Sequence, residues 1–138
     1  RREDISISFQ DPHLFAHLSV DENLLLSHQL KKPRRPPSSL EHWLQVFQLD
    51  DIRHRLPKTL SGGERHRVSL IRAFMSDAKL YIFDEPTNSL DKQRTSIVLE
   101  QLCKLIELNK LVVVASHDHR VKEIASRLIT FGDNATCG

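Results

Sequence analysis

Residues 4–9 read Asp-Ile-Ser-Ile-Ser-Phe, apolar and polar in alternation, which predicts a strand with one buried face. Gln10-Asp11-Pro12 ends it as a turn. Ser19 and Glu22 have capping-box spacing and precede Leu24, Leu25 and Leu26 on a helix. Ser38 and Glu41 repeat the spacing. Leu40, Trp43, Leu44 and Phe47 follow at i, i+3, i+4 and i+7, so this second helix has one apolar face. Pro57 closes the helical stretch. Ser61 and Glu64 make a third capping box, opening a helix with Val68, Ile71 and Met75 on one side. Residues 80–83 are a short apolar run stopped by Asp84-Glu85-Pro86, which predicts a buried strand. Asp91 caps a long helix expected to turn Val98, Leu102, Leu105 and Ile106 inward. Residues 111–115, rich in valine, predict another buried strand. Residues 116–118 start a helix that buries Val121, Ile124 and Ala125, and residues 127–131 predict a last strand. From residue 79 onward strands and helices alternate, so the expected class is α/β, with a mostly parallel sheet covered by helices and a mostly helical section in front.

Composition narrows this picture by exclusion. The chain has 138 residues, the size of one domain. Lys+Arg 20 against Asp+Glu 18 gives a net charge of +2, which selects neither for nor against a polyanionic partner. The apolar runs, 24–26, 80–83 and 111–115 among them, are far below the about 20 residues of a membrane-spanning helix. Arg1-Arg2-Glu3-Asp4 leads into no apolar stretch of signal-peptide length. Residues 31–37 are basic and proline-rich and read as an exposed linker. Without aromatics they make a poor nucleic-acid surface, so no nucleic-acid partner is expected. Cys103 and Cys137 have no metal-ligand spacing, which excludes a zinc ribbon and a disulfide scaffold; Cys103 is expected to pack inside a helix. Trp43 is expected to pack in the helical section. Glycine is the informative residue. Gly62, Gly63, Gly132 and Gly138 are the four in the chain. A P-loop needs two glycines framing a turn, then Lys and Ser or Thr, and these residues contain none.

Several segments carry residues suited to phosphate chemistry. Asp84 and Glu85 end a buried strand, where ligands of α/β folds bind; a solvated acidic turn is the plainer alternative. Ser61, Gly62 and Gly63 open a helix whose unpaired N–H groups and partial positive charge suit a phosphate, or simply form a capped helix with a Gly-Gly hinge. His117 follows a strand and could donate a hydrogen bond to a phosphate oxygen, or be one of eight surface and structural histidines. Gln10 could equally be a turn residue.

Their order changes the odds. Phe9-Gln10-Asp11-Pro12, Leu60-Ser61-Gly62-Gly63-Glu64, Tyr81-Ile82-Phe83-Asp84-Glu85-Pro86-Thr87, Ser89-Leu90-Asp91 and His117 resemble the motifs of the ATP-binding-cassette (ABC) ATPases from the Q-loop onward, along essentially the whole chain. The resemblance implies a partial P-loop NTPase core of ABC type plus a helical subdomain. The helical part, with the signature, would span about residues 14–64, and the α/β core residues 1–13 and 65–138. It also implies roles. Gln10 and Asp84 would hold Mg2+ or its water. Ser61, Gly62, Gly63 and Glu64 would form the signature that meets the ATP of an opposite subunit. Glu85 would orient and deprotonate the attacking water, His117 would bind the γ-phosphate, and Asp91 would contact the partner. The implied cofactors are ATP and Mg2+; the implied partners are a second ABC ATPase subunit and a membrane permease. The implied place is cytoplasmic, peripheral on the inner face of the membrane. The missing P-loop departs from the family and implies that the chain alone neither binds ATP tightly nor hydrolyses it. Residues 9–24 are similar to the Q-loop region of bacterial importers of molybdate, thiamine and similar small solutes, which implies that Leu14, Phe15 and Leu18 dock a permease. Two alternatives stay open: a non-catalytic truncated remnant, and a soluble non-transport ABC ATPase. The short span from Gln10 to Leu60, without heptads, speaks against DNA-repair types. The lack of strongly basic linkers speaks against translation types.

Overall fold

The computed structural model describes residues 5–31 and 40–130. The cap expected at Ser38, nearly all of the 31–37 linker and Cys137 lie outside them. Three strands, β1 (Ile5–Ser8), β2 (Leu80–Asp84) and β3 (Leu111–Ala115), form one parallel sheet in the order β1-β2-β3. The register sets Ser8 against Phe83, Phe83 against Val114, and Asp84 against Ala115. The connection from β1 to β2 carries α1 (Val20–Lys31), α2 (Leu40–Val46) and α3 (Gly62–Phe74), with 3-10 turns at Asp50–Ile52 and Pro57–Thr59 before α3. α4 (Lys92–Glu107) joins β2 to β3, and α5 (His119–Ile124) follows. Parallel neighbours need such crossovers, because no hairpin can join strands that point the same way.

Helix ends are where the sequence signals and the structure agree most closely. Ser19 and Glu22 close a capping box on α1, the Ser19 N–H donating to Glu22 at 2.7 Å and the Glu22 N–H to the Ser19 hydroxyl at 3.3 Å. Ser61 and Glu64 do the same for α3, and the Asp91 carboxylate accepts the Arg94 N–H at the start of α4. α2 and α4 stop in left-handed residues, Gln48 (φ 55) and Asn109 (φ 56). Each is followed by a residue whose N–H reaches back five positions, Leu49 to Leu44 and Lys110 to Leu105, so both ends have the Schellman pattern. Buried Arg67 adds a second cap, donating to the carbonyls of Phe47 at 2.6 Å and Gln48 at 3.2 Å.

One apolar core serves both parts of the chain. Leu40, Trp43, Leu44 and Phe47 are all buried, as their spacing predicts, and so are Val68 and Ile71 of α3. Phe74, at the end of α3, stacks on Trp43 with centroids 5.9 Å apart and touches Phe83 of β2 at 5.1 Å. The helical section is thereby fastened to the sheet by aromatic contact. α3 packs against both α1 and β1. A boundary drawn at residue 64 falls inside this helix.

The sheet departs from expectation in its burial. Ser6, Ser8, Tyr81 and Phe83 are covered, and Val112 and Val114 lean on the same core. The alternate residues point the other way, where the described helices lay nothing: Ile7 is 45% exposed, Leu111 63% and Val113 49%. β2 and β3 are therefore buried on one face, not two. Ile106 is exposed rather than inward, because Val98, Leu102 and Leu105 already define the buried stripe of α4. Ala125 lies past the end of α5 and is exposed. Residues 127–130 form no strand, having no ladder partner, and Leu128 and Ile129 stay exposed.

An apolar face of this kind binds hydrophobic dyes. Lysine at both Ile7 and Val113 is expected to lower ANS fluorescence by about half while costing less than about 1 kcal/mol in denaturation, as exposed positions do.

Candidate functional site

The candidate site lies at the carboxyl ends of the strands. β2 ends in Asp84, and the next residue, Glu85, turns into the left-handed region at φ 49. A non-glycine residue there is strained and needs fixing by its surroundings. The Glu85 N–H donates to the carbonyl of Ala115 at 2.8 Å, continuing the β2–β3 ladder by one bond, and its carbonyl accepts the Asn88 N–H at 3.0 Å. Pro86 follows, which disfavours the right-handed helical conformation for Glu85.

On the neighbouring strand β3 ends at Ala115, so Ser116 and His117 emerge beside Glu85. His117 Nε2 lies 3.5 Å from Glu85 Oε1, and the Ser116 hydroxyl lies 3.5 Å from Glu85 Oε2. The imidazole is fully open to solvent while the carboxylate is half-buried. The two candidate catalytic residues thus share one end of the sheet. Gln10 leaves β1 at the same end, next to β2, and both Gln10 and Asp84 are exposed. Neither side chain makes a hydrogen bond or ion pair with another described residue.

The start of α3 forms a second cluster. The Glu64 carboxylate accepts the Ser61 N–H at 2.7 Å, a bond that holds it below the usual carboxylate range. Glu64 therefore closes the cap instead of projecting outward. A side chain added at Gly62 would meet nothing within 4 Å, and one at Gly63 would touch the Ser89 carbonyl at 3.7 Å. Gly62 thus faces open space, and Gly63 abuts the loop after β2. Asp91 is exposed at the N-terminus of α4, its carboxylate kept low by the Arg94 N–H and the Arg94 guanidinium.

Four supporting residues carried no clear signal in the sequence. Asn23 is fully buried; its Oδ1 accepts the Phe15 N–H at 2.8 Å, and its Nδ2 donates to the carbonyls of Leu18 and Ser19 at 2.9 Å. It shapes the loop on which Phe15 is 44% exposed, with Leu14 and Leu18 half-buried. Its one signal was a polar residue on the Val20–Leu24 stripe. Arg72 of α3 donates to the His13 carbonyl at 2.6 Å, tying that loop to the helix. Asp118 caps α5 and pairs with Arg120 at 2.8 Å; the guanidinium, helped by the Arg120 N–H and the Thr87 hydroxyl, pulls its pKa down to about 2. His66 of α3 is buried and lies 3.1 Å from the Pro86 carbonyl through Nε2; burial lowers its pKa.

Two tests follow from these groups. Asn23→Leu strips the 15–19 loop of its partners and is expected to cost about 1–3 kcal/mol in chemical denaturation. The unfolded chain protonates His66 as pH falls through 6.5, whereas the folded chain resists. Its share of stability is therefore whole above pH 6.5 and is lost as pH falls below it. Denaturation midpoints measured from pH 7.5 to 5 should fall less steeply for His66→Gln than for the parent.

The ABC transporter family pattern matches residues 1–88. Staphylococcus aureus (strain Newman) HrtA, provisionally named a hemin import ATP-binding protein, is 38% identical over 136 residues, covering 96% of this chain and 62% of its own. Among solved structures, the dimeric post-hydrolysis state of the ATP-binding cassette MJ0796 bound to ADP and Pi aligns with a TM-score of 0.74 at 32% identity, covering 88% of this chain and 55% of that one. Another dimeric structure of MJ0796, described as a bacterial ABC transporter cassette, aligns with a TM-score of 0.72 at 30% identity, covering 89% and 56%. The chain spans about 62% of the length of the curated relatives it matches. With the family pattern running across the strand ends that bear Gln10, Asp84 and Glu85, this chain belongs to the ABC transporter family.

Proposed function

We propose that this chain forms part of the ATP-binding subunit of an ABC transporter, which couples ATP binding and hydrolysis in a dimer to solute movement across a membrane. The observation that carries the reading is the 3.5 Å approach of His117 to Glu85 at the carboxyl ends of adjacent parallel strands. In this reading Glu85 orients a water and accepts its proton, and His117 donates a hydrogen bond to the terminal phosphate oxygen. Asp84 and Gln10 suit Mg2+: both offer oxygen to solvent, and Mg2+ takes few protein ligands while keeping waters and phosphate oxygens. No group of three His, Cys, Asp or Glu among the described residues forms a closed metal cage. The ion supplies neutralising charge at the phosphates.

Ser61, Gly62 and Gly63 serve a second subunit. Gly62 borders open space at a helix start, where an incoming phosphate meets unpaired N–H groups without steric hindrance. Glu64 holds the cap that presents them, and Asp91 lies at the N-terminus of α4, turned to the same partner. The P-loop of the complete site comes from outside these 138 residues. About residues 14–64 form the helical part that carries the signature, with residues 1–13 and 65–138 as the α/β core. Exposed Phe15, on a loop braced by Asn23, is the contact for a permease subunit. The similarity of residues 9–24 to small-solute importers supports that contact, as does the hemin-import name of the S. aureus relatives. No helix among the described residues is long and apolar enough to cross a membrane. We place the protein in the cytoplasm, held to the inner face of the membrane by the permease.

The test is a hybrid. An intact related cassette with its own signature inactivated retains its P-loop and is expected to regain ATPase activity when this chain is added. Gly62→Val should abolish the rescue by about tenfold or more, since it removes phosphate contacts made at turnover, and should leave the melting temperature unchanged. Turnover by the purified chain alone, or no rescue by the parent, would refute the assignment.

A further inference from the structure

α3 meets the loop after β2 at two points. Gly63, in its first turn, abuts the Ser89 carbonyl, and one turn later buried His66 reaches the Pro86 carbonyl at 3.1 Å. The second contact joins residues 20 positions apart and ends on the carbonyl of Pro86, the residue that follows Glu85, itself strained at φ 49. The chemistry of the pair fixes its sense. The carbonyl can only accept, so Nε2 carries the proton and donates.

The local geometry shows why that bond matters. Glu85 precedes a proline, which disfavours the right-handed region. The left-handed alternative is costly for a residue with a Cβ and persists only where the surroundings over-determine it. The Glu85 N–H is held by Ala115 from the side of β3. The proline ring fixes φ of residue 86. Its ψ, and with it the direction of the next peptide, is left to whatever holds the Pro86 carbonyl. The partner of that carbonyl is His66, on the helix whose first turn bears Ser61, Gly62 and Gly63.

We propose that His66 is a positioning residue: its Nε2–H pins the Pro86 carbonyl, holds Glu85 in its left-handed conformation toward His117, and ties that conformation to the placement of the α3 N-terminus. This rests on the reading of Glu85 as the hydrolytic carboxylate for its functional meaning, but not for its geometry. A ligand that shifts the start of α3 would move Glu85 through this bond.

The test needs no nucleotide, so its failure is distinct from failure of the ATPase reading. Amide hydrogen exchange is measured on the 138-residue chain and on His66→Leu and His66→Gln. Leucine fills the space without a donor; glutamine restores one. The expected result is exchange faster by about tenfold at the Glu85 and Asn88 amides in His66→Leu, the scale of one lost hydrogen bond, with α4 amides unchanged and near-parent protection in His66→Gln. Unchanged exchange at Glu85 and Asn88, or a uniform rise across all elements, overturns the proposal. Should His66→Leu not fold, imidazole nitrogen shifts of the parent at pH 7.5 decide: an Nε2-protonated ring supports the bond, and an Nδ1-protonated ring overturns it.

Discussion

The ladder between β2 and β3 is the interaction on which the site depends. Asp84 pairs with Ala115, and one further bond, from the Glu85 N–H to the Ala115 carbonyl, runs past the end of the strand. Those contacts bring the backbone of Glu85 beside Ser116 and His117, across more than thirty positions of sequence. A slip of one residue would turn every side chain of β2 to the opposite face. The aromatic side chains exclude that slip, because Tyr81 and Phe83 would leave the core and Leu80 and Ile82 would have to fill their places.

α3 is the second constraint, and it works by reaching several neighbours from one rigid rod. Arg67 caps α2, Arg72 holds the His13 carbonyl near Gln10, His66 holds the Pro86 carbonyl, and Phe74 joins Trp43 to Phe83. Buried cations and imidazoles are costly unless satisfied, and here the acceptors are main-chain carbonyls of the loops that need fixing. The arrangement explains why a helix that begins at Gly62 is rich in polar residues that are nevertheless buried.

Much of this was legible in the sequence. Capping boxes at Ser19 and Ser61 and the cap at Asp91 are local hydrogen-bond patterns, so residue spacing announces them, and the structure contains all three. The apolar stripe from Leu40 to Phe47 is likewise a local property. Burial of the strands was less legible. A run such as residues 111–115 shows that apolar cover is suited to both faces, not that these residues supply it. Ile106 and Ala125 failed for a related reason: periodicity marks a stripe, but tertiary packing sets its width and its end. His66 and Asn23 could not be assigned at all, because their partners are main-chain atoms selected by the fold. Of the site itself, Glu85 and His117 were legible as ordered motifs, while the strained turn that directs one toward the other was not.

Alternation along the strands carries one last consequence. Leu80, Ile82 and Asp84 point to one side of β2, the same side as Ile7 of β1 and Val113 of β3, which the described helices leave bare. Asp84 therefore faces away from α3 and α4. Glu85 would continue the alternation toward the covered side, but its left-handed turn breaks the pattern and swings the carboxylate to His117. A ligand that engages both residues has to approach past the strand ends from the bare side, since the other side is filled by the aromatic core. Gln10 leaves β1 at the same end of the sheet. The left-handed turn at Glu85 thus brings its carboxylate to His117 at the end of the sheet instead of continuing the alternation of β2.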